Sequence, residues 1–290
     1  MTVVIPTFGR EGVLVETVRA VLRLNPEEIL VVDQTPAHEP ATGHFLSRES
    51  GRIVWIRLPE PSIPRAMNAG LLQARCDLVL FLDDDVEPAE NLLAAHESAH
   101  RNLPGAWVVV GQILQPGETP RRLAAGEEFQ FCSDFPCAIR RAMAGNMSVK
   151  RDRALAAGGF DENFLGAAYM FETEFAERVL RCGGGIFFEP TASIRHLRAP
   201  RGGTRSHGSH LRTLSPAHSS GAYYHMLLKA GIFGASAPAL RRLFSSVATR
   251  HHLRNPWWIP ATLIAELRGL LQGIALFHKG PQLVRKGKDS

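Results

Sequence analysis

Residues 77–86 read "DLVLFLDDDV", an apolar run followed by three consecutive aspartates, Asp83, Asp84 and Asp85. The apolar run predicts a buried β-strand, and the aspartates mark its carboxyl end. Neighbouring carboxylates repel one another, so each raises the free energy needed to ionise the next unless a positive charge lies among them. The stretch therefore predicts a strand that ends at a cation site, with a divalent metal ion as the obvious candidate.

Similar apolar runs occur at residues 3–5, 29–33 and 53–58, at a spacing of about 25 residues, with helical patterns between them. Strands that are apolar throughout and alternate with helices are typical of a parallel sheet covered on both faces. In such sheets ligands bind beyond the carboxyl ends of the strands, where Thr7, Asp33 and the three aspartates would emerge together. We therefore predict an α/β fold with a nucleotide-binding, Rossmann-like, mostly parallel sheet flanked by helices.

The charge of the chain is distributed unevenly. Residues 1–189 contain 18 Lys and Arg against 26 Asp and Glu, whereas residues 190–290 contain 15 against two. A basic C-terminal part implies an anionic partner, and composition leaves nucleic acid, phospholipid and a phosphorylated substrate open. The four cysteines form no CxxC pair, which argues against a zinc knuckle or a disulfide framework.

Eight short motifs follow one another over residues 1–205. They are "VVIPTFGR" at the start, "VVDQT" at the second strand, "RAMNAG" at 65–70, "FLDDDV" at 81–86, "AGNMSVKR" at 144–151, "GGFDENF" at 158–164, "FETEF" at 171–175, and "RH" before "GGTR". In this order and spacing they resemble the inverting, GT-A-fold glycosyltransferases of family 2, which use nucleotide-activated sugars. The resemblance implies a nucleotide-diphosphate sugar as donor, with a UDP-sugar expected.

The resemblance identifies the three aspartates as the family's DxD-type metal motif. Asp85 is the expected ligand of Mn²⁺ or Mg²⁺, and His196 is expected to contact the metal or the diphosphate. Asp83 would reach the ribose or a metal-bound water, and Asp84 the donor nucleotide. The alternative is that the aspartates only cap the helix that follows.

Further donor contacts follow from the same resemblance. The loop after the first strand would touch nucleoside or phosphate, Asp33 would accept a hydrogen bond from a uracil ring, and the "RAMNAG" helix would face the nucleotide. A turn-forming Asp33 and a solvated Arg65 are the alternatives, and Gln34 stands where relatives often have a second acid, which leaves the base open. The expected contacts are Pro6, Thr7, Gly9, Arg10, Asp33, Arg65 and Asn68.

A basic segment and an acidic helix complete the predicted site. The segment "RHLRAPRGGTR" would close over the diphosphate as a flap, with a solvated basic loop as the alternative. An inverting transfer also needs a general base on the face opposite the leaving group, and "FETEF" aligns Glu172 with that position, with Glu174 and Asp161 as alternatives. The residues expected on the acceptor or diphosphate side are Asn146, Arg198, Arg201 and Arg205.

The predicted function is metal-dependent, inverting transfer of a sugar from a nucleotide-diphosphate donor to a hydroxyl acceptor in cell-surface glycan or glycolipid synthesis, with lipid-linked acceptors among the candidates. A sugar nucleotidyltransferase is one alternative, but the loop "IPTFGRE" lacks the Gly-rich phosphate loop of that class. A non-enzymatic scaffold that binds membrane or nucleic acid is the other. It would leave the three aspartates and "FETEF" unexplained, so we expect no nucleic-acid partner.

Regularity changes after residue 205. We predict a catalytic domain over 1–205, a flexible basic linker or flap over 206–221, and a basic amphipathic helical extension over 222–290. Residues 257–277 are long enough to span a bilayer but are interrupted by charged residues, so the membrane surface is favoured over a spanning helix. Packing on the domain or on a second subunit is the alternative.

The expected location is the cytoplasm. Residues 1–20 lack the basic start and apolar segment of a signal peptide. Together with the basic, amphipathic C-terminal helices, this predicts peripheral contact with an anionic membrane at the inner face of the cell membrane.

Overall fold

The computed structural model of the protein describes residues 1–123 and 127–284. Its strands are β1 (Thr2–Thr7), β2 (Glu28–Asp33), β3 (Val54–Arg57), β4 (Leu78–Leu82), β5 (Val86–Pro88), β6 (Ala106–Leu114), β7 (Cys137–Ala138), β8 (Asn146–Lys150) and β9 (Gly185–His196). Its α-helices are α1 (Gly12–Arg23), α2 (Pro40–Arg48), α3 (Ile63–Gln73), α4 (Leu92–Asn102), α5 (Arg151–Ala156), α6 (Phe171–Arg181), α7 (Ser220–Val247), α8 (Arg250–Arg254) and α9 (Ile259–Lys279). The predicted α/β class is confirmed.

Over the described residues the strands form one sheet in the order β3-β2-β1-β4-β8-β6-β9-β5, with β7 also paired to β9. The N-terminal half is parallel, because β1 pairs in parallel with both β2 and β4, and β2 with β3. Strand β8 lies antiparallel between β4 and β6 and makes the sheet mixed. The sequence predicts the parallel half well because β1, β2 and β3 are each followed by a helix.

Both faces of the sheet are buried, which explains the uninterrupted apolar runs. Val4 of β1 packs into the core on the α3 and α6 side, whereas its neighbours Val3 and Ile5 pack into the core on the α1 and α4 side. Successive side chains of a strand point to opposite faces, so a strand covered on both sides must be apolar at every position.

Strand pairing brings the predicted site residues to one edge. Thr7 and Asp33 lie opposite each other in the β1–β2 register, and β4 ends at Leu82, directly before the three aspartates. Strand β5 then pairs antiparallel with β9, which places Val86 opposite His196. The metal-site candidates at 83–85 and at 196 are therefore joined by main-chain pairing across more than 100 residues of sequence.

The C-terminal helices pack on the rest of the chain. The side chain of Tyr224 in α7 is fully buried in the larger core, where Leu276 of α9 also lies, and its hydroxyl donates to Asp161 at 2.7 Å. Gly273 lets α9 approach α7 closely, because a Cβ there would lie 2.9 Å from the Tyr223 Cβ. The predicted extension thus shares a core with the predicted catalytic domain, and its last six residues, 285–290, lie outside the described residues.

We predict that Tyr224→Ala lowers the free energy of unfolding of the whole protein by about 3–5 kcal/mol, because a large buried side chain and its hydrogen bond are lost. Phe233→Ala in the same helix is the matched control. Phe233 is 95% exposed, so its loss should change the free energy by no more than about 0.5 kcal/mol. Urea denaturation checks both variants, and an unchanged main transition in Tyr224→Ala would show that the helices do not share the core.

Candidate functional site

A cavity of 180 Å³ lies at the carboxyl ends of β1, β2 and β4. It brings together the predicted residues Pro6, Thr7 and Arg10 with the three aspartates, His196 and Arg205. The other residues of its wall, most of them apolar, are not among the predicted contacts. They are Phe8, Gln34, Ile63, Met67, Leu82, Ala144, Gly203 and Thr204.

Arg10 is a buried cation among the aspartates. Its Nε lies 3.2 Å from Oδ1 of Asp84 and its Nη2 lies 3.5 Å from Oδ2 of Asp85. The hydroxyl of Thr7 donates a further hydrogen bond to Asp84 at 2.7 Å. Burial nevertheless raises the pKa of Asp84 to about 7, against the opposing effects of Arg10 and Thr7. One guanidinium therefore does not offset the desolvation of the acidic cluster.

Asp83, Asp85 and His196 form a group that could hold a metal ion, with one ligand atom from each within 4.8 Å of the others. Nε2 of His196 lies 3.2 Å from Oδ1 of Asp85 and 3.7 Å from Oδ2 of Asp83. Asp85 is buried and its Oδ2 accepts from the Ala199 amide at 2.8 Å, whereas the Asp83 side chain is half-exposed. The site thus offers a metal ion one carboxylate that is held in place, one accessible carboxylate and one imidazole.

The electrostatics of this group favour a cation. Desolvation of the carboxylate at the cavity wall, and then the charge of Asp85, raise the pKa of Asp83. Although burial opposes it, the hydrogen bond and charge of His196 hold the pKa of Asp85 below its usual range, and the same hydrogen bond raises the pKa of His196. The Nδ1 atom of His196 is buried without a hydrogen-bond partner among the described residues. Two carboxylates and an imidazole are donors that suit Mn²⁺, and carboxylates also suit Mg²⁺.

The segment after β9 docks on the loop after β1. Nη1 of Arg10 donates to the carbonyls of Ala199, at 3.2 Å, and of Arg201, and the Gly203 amide donates to the carbonyl of Phe8 at 2.7 Å. A Cβ on Gly202 would lie 2.3 Å from the Gly9 carbonyl oxygen, so the close approach requires glycine. The "GGTR" motif thus closes one side of the cavity.

The predicted flap arginines separate into two groups. Arg205 lines the cavity, whereas the side chains of Arg198 and Arg201 are exposed outside it. Gly9 likewise acts through its backbone conformation, with φ of +63°, and does not line the cavity. Only Arg205 of the three is therefore placed to contact a bound diphosphate.

Glu172 lies in the first turn of α6, next to the cavity. Its Oε1 accepts a hydrogen bond from the amide of Ala144, which lines the cavity, and a Cβ on the adjacent Gly145 would lie 2.5 Å from Oδ2 of Asp83. Burial raises the pKa of Glu172 to about 7, opposed by the Ala144 amide and supported by the charge of Asp83. A carboxylate with a pKa near neutrality beside a ligand cavity is suited to proton transfer.

The two alternative bases are occupied elsewhere. Glu174 is buried and forms a bidentate pair with Arg178 at 2.6 and 2.8 Å. Asp161 accepts from Tyr224 through Oδ2 and from the amides of Asn163 and Gln282 through Oδ1. Both carboxylates hold the fold together, which leaves Glu172 as the acid beside the cavity.

Comparison with known proteins identifies the family. Residues 2–145 match the model of the family described as glycosyl transferase family 2. This part of the chain belongs to that family. No curated protein sequence matches the chain.

Three solved glycosyltransferase structures show the same GT-A fold at low sequence identity. GalNAc-T7, solved with UDP, GalNAc and Mn²⁺, has a TM-score of 0.56 and 16% identity over 67% of this chain and 43% of its own. Mannosyltransferase PcManGT from Pyrobaculum calidifontis, solved with GDP-Man and Mn²⁺, has a TM-score of 0.52 and 18% identity over 96% and 78%. TarS from S. aureus has a TM-score of 0.54 and 14% identity over 79% and 38%. The chain therefore spans less than half the length of two of these proteins.

The structure uses Asp33 differently from the family-based expectation. Its side chain is buried: Oδ1 accepts from the Thr35 amide at 2.8 Å, and Oδ2 lies 2.9 Å from both His38 Nε2 and Trp55 Nε1. With both oxygens engaged, Asp33 does not line the cavity. A contact between Asp33 and a uracil ring stays a prediction.

Three other expected contacts also lie away from the cavity. Asn68 is buried and bonds the main chain of Phe160 through both its amide oxygen and its amide nitrogen, at 2.8 Å each. Asn146 is fully buried and donates to the Ala192 carbonyl at 2.8 Å. Arg65 pairs with Glu60 and Glu162 at 3.2 and 3.6 Å. The two asparagines are structural here because all their hydrogen-bonding atoms serve the protein interior.

We predict that Asp83→Asn weakens Mn²⁺-dependent binding of UDP by about tenfold or more, because even residues behind a metal ligand commonly contribute that much. The melting temperature should stay close to that of the wild type, since the Asp83 side chain is 51% exposed. Exposed Asp134 supplies the control variant Asp134→Asn. Isothermal titration with and without Mn²⁺ measures the effect, and an unchanged metal dependence in Asp83→Asn removes Asp83 from the site.

Proposed function

We propose that the protein is a metal-dependent, inverting glycosyltransferase that moves a sugar from a nucleoside-diphosphate donor to a hydroxyl acceptor. The observation that carries the proposal is the arrangement around Ala144 and Gly145. Glu172 accepts a hydrogen bond from the Ala144 amide, and Asp83 of the acidic cluster packs against Gly145. A proton acceptor and a cation site thus flank the same cavity, as a one-step displacement requires.

The donor side is built by the acidic cluster and Arg205. Asp83, Asp85 and His196 would hold Mn²⁺ or Mg²⁺, which neutralises the charge that develops on the departing diphosphate. Arg205 lines the cavity and would pair with phosphate oxygens. Two relatives in fold were solved with Mn²⁺ and with UDP or GDP-Man. They support a nucleotide-sugar donor, with a UDP-sugar as our expectation.

The acceptor side is built by Glu172. As the acceptor hydroxyl attacks the anomeric carbon, its proton passes to the Glu172 carboxylate, the new carbon–oxygen bond forms, and the bond to the diphosphate breaks. The nucleoside diphosphate leaves with the bonding electrons. Because attack and departure occur on opposite faces of the sugar, the configuration at that carbon inverts.

A screen of donors tests this proposal. UDP-, GDP- and dTDP-sugars are added with Mn²⁺ or Mg²⁺, and the melting temperature and the slow release of free sugar are measured. We expect one nucleotide class to raise the melting temperature only with metal. Release of pyrophosphate from a nucleoside triphosphate and a sugar 1-phosphate would instead identify a nucleotidyltransferase, and salt-dependent RNA retention without sugar transfer would identify a scaffold.

We predict that Glu172→Gln lowers kcat by about 10²- to 10⁴-fold with little change in donor affinity, because one positioned base is removed. Glu177→Gln is the control, since Glu177 lies on the same helix but pairs with Lys229 at 2.7 Å. Stopped assays with a fixed acceptor give kcat, and NMR gives the anomeric configuration of the product. Wild-type turnover in Glu172→Gln, or a product of retained configuration, contradicts the assigned mechanism.

We also propose that the C-terminal helices bind an anionic membrane surface. Large apolar side chains are exposed there, with Phe233 at 95%, Leu253 at 82% and Trp257 at 67%. Residues 220–279 contain seven Lys and Arg against Glu266 alone, which complements anionic lipid. This would place the enzyme at the inner face of the cell membrane, on acceptors for cell-surface glycan or glycolipid synthesis.

The packing of α9 favours the surface over a spanning helix. Residues 256–279 are long and apolar enough to cross a membrane, with a mean hydropathy of 1.3. Glu266, however, is buried against Tyr223 and Arg242 at 2.8 and 3.0 Å, and Gly269 packs on Ser219. One side of α9 therefore packs on α7, and the opposite side, with Leu267 and Leu271, is exposed.

We predict that most of the double variant Phe233→Ser, Trp257→Ser no longer floats with vesicles in which about a third of the lipid is phosphatidylserine, because both apolar contacts are removed. Phe135→Ser is the control, since this exposed phenylalanine lies outside the C-terminal helices. Flotation of the full-length protein at low salt is compared for the three proteins. Equal flotation of the double variant, or none of the wild type, contradicts a membrane-binding surface.

A further inference from the structure

A second cavity, of 280 Å³, lies between the loop before α6 and the C-terminal helices. It is separate from the donor cavity, but the chain links the two on both sides. Tyr169 lies three residues before Glu172, and His210 lies five residues after Arg205. The wall consists of Tyr169, His210, Leu211, His218, Arg242, Ser245, Ser246, Thr249 and Glu266.

The charged groups of this cavity cancel. Arg242 pairs through Nε and Nη2 with both oxygens of Glu266, at 3.0 and 3.2 Å. Burial, and then the charges of His218 and Arg242, lower the pKa of His210. The Arg242–Glu266 pair therefore contributes no net charge, and the neighbouring groups disfavour the charged form of His210, so a ligand that enters meets a polar surface.

Hydrogen-bonding capacity remains free in the cavity. Within residues 1–123 and 127–284, Nη1 of Arg242 and both ring nitrogens of His210 have no hydrogen-bond partner. Ser245 and Ser246 donate to carbonyls of their own helix, at 3.0 and 2.8 Å, and keep their oxygen lone pairs as acceptors. Convergent donors and acceptors around a small volume are typical of a binding site for a polar ligand.

Tyr169 provides an aromatic face at the mouth of the cavity. Tyr169 is 54% exposed. Its neighbours Ala168 and Met170 both adopt positive φ angles, of +51° and +76°. Such angles are uncommon for residues other than glycine and persist only where the surroundings hold them. The Ala167 amide, which donates to the Ala217 carbonyl at 3.1 Å, fixes this loop to the segment before α7. The ring is thus held outward by a constrained turn.

We propose that this cavity is the acceptor subsite and that it takes a neutral, hydroxyl-rich saccharide unit. The inference deepens the proposed function and rests on it. A sugar ring offers an apolar face to Tyr169 and hydroxyls to His210, Arg242 and the serines. A phosphate group would instead meet the Glu266 carboxylate and an arginine that is already paired, so an anionic ligand is disfavoured.

Binding is measured without the transfer reaction. Methyl glycosides of glucose, galactose, mannose, rhamnose and N-acetylglucosamine are titrated into the full-length protein by saturation-transfer NMR, with glycerol 1-phosphate as the anionic probe. At least one glycoside should bind the wild type, and Tyr169→Ala and His210→Ala should each weaken it by about fivefold or more. His278→Ala is the control, because His278 is exposed at the end of α9, outside the cavity. Affinity for UDP with Mn²⁺ should stay unchanged in all variants.

The outcomes separate this inference from the proposed function. Three outcomes overturn the acceptor subsite. Either no glycoside binds the wild type, or neither Tyr169→Ala nor His210→Ala reduces the glycoside affinity, or glycerol 1-phosphate binds more tightly than the glycosides. If the glycosides bind as expected but no nucleotide sugar is consumed, the saccharide site stands and the glycosyltransferase proposal fails. If transfer occurs and the acceptor KM is the same in Tyr169→Ala as in the wild type, the glycosyltransferase proposal stands and the acceptor subsite fails.

Discussion

The structure depends on the ion pairs of Arg10 with Asp84 and Asp85. Three carboxylates follow a buried strand, and their mutual repulsion would oppose folding without compensating positive charge. Arg10 supplies one charge from the loop after β1, and the same side chain binds the carbonyls of Ala199 and Arg201. One guanidinium thus joins the first strand, the acidic cluster and the segment after β9. The remaining unbalanced charge is what makes the site receptive to a divalent cation.

The position of Glu172, the proposed base, depends on contacts that involve the C-terminal helices. Arg178 of α6 binds the carbonyls of Ala157 and Gly159 through Nη1 and pairs with Glu174. The loop that follows Gly159 is held in turn by Tyr224, whose hydroxyl donates to Asp161. Helix α6 is thereby fixed at its buried face, and Glu172 is presented to the cavity from a rigid element. Catalytic groups on rigid elements are positioned more exactly than groups on free loops.

Much of the fold and the centre of the site can be predicted from the sequence, because both depend on patterns within short stretches of the chain. Apolar runs with turns at their ends predict β1, β2 and β4, and parallel pairing then brings their carboxyl ends together. The pairing of Glu174 is also local, since Arg178 lies four residues later on the same helix, where an ion pair is expected.

The predictions that differ from the structure involve partners that are distant in sequence. Asp33 meets Trp55 only because β2 pairs with β3, and Asn68 meets Phe160 across 92 residues of chain. A polar residue at a strand end, or on a helix near the nucleotide, gives the same local sequence pattern whether it faces a ligand or the interior. Its type and position do not specify its partners. The second cavity, whose wall runs from Tyr169 to Glu266, leaves no sequence motif for the same reason.

A divalent cation would complete the cluster that Arg10 leaves unbalanced. Crystals grown with UDP and Mn²⁺ and measured at the manganese absorption edge test it most directly. One strong anomalous peak is expected at about 2.1 Å from oxygens of Asp83 and Asp85 and from Nε2 of His196, the length typical of bonds between small divalent cations and oxygen or nitrogen ligands. A peak away from these three side chains, or bound UDP with no anomalous peak beside its diphosphate, would contradict it.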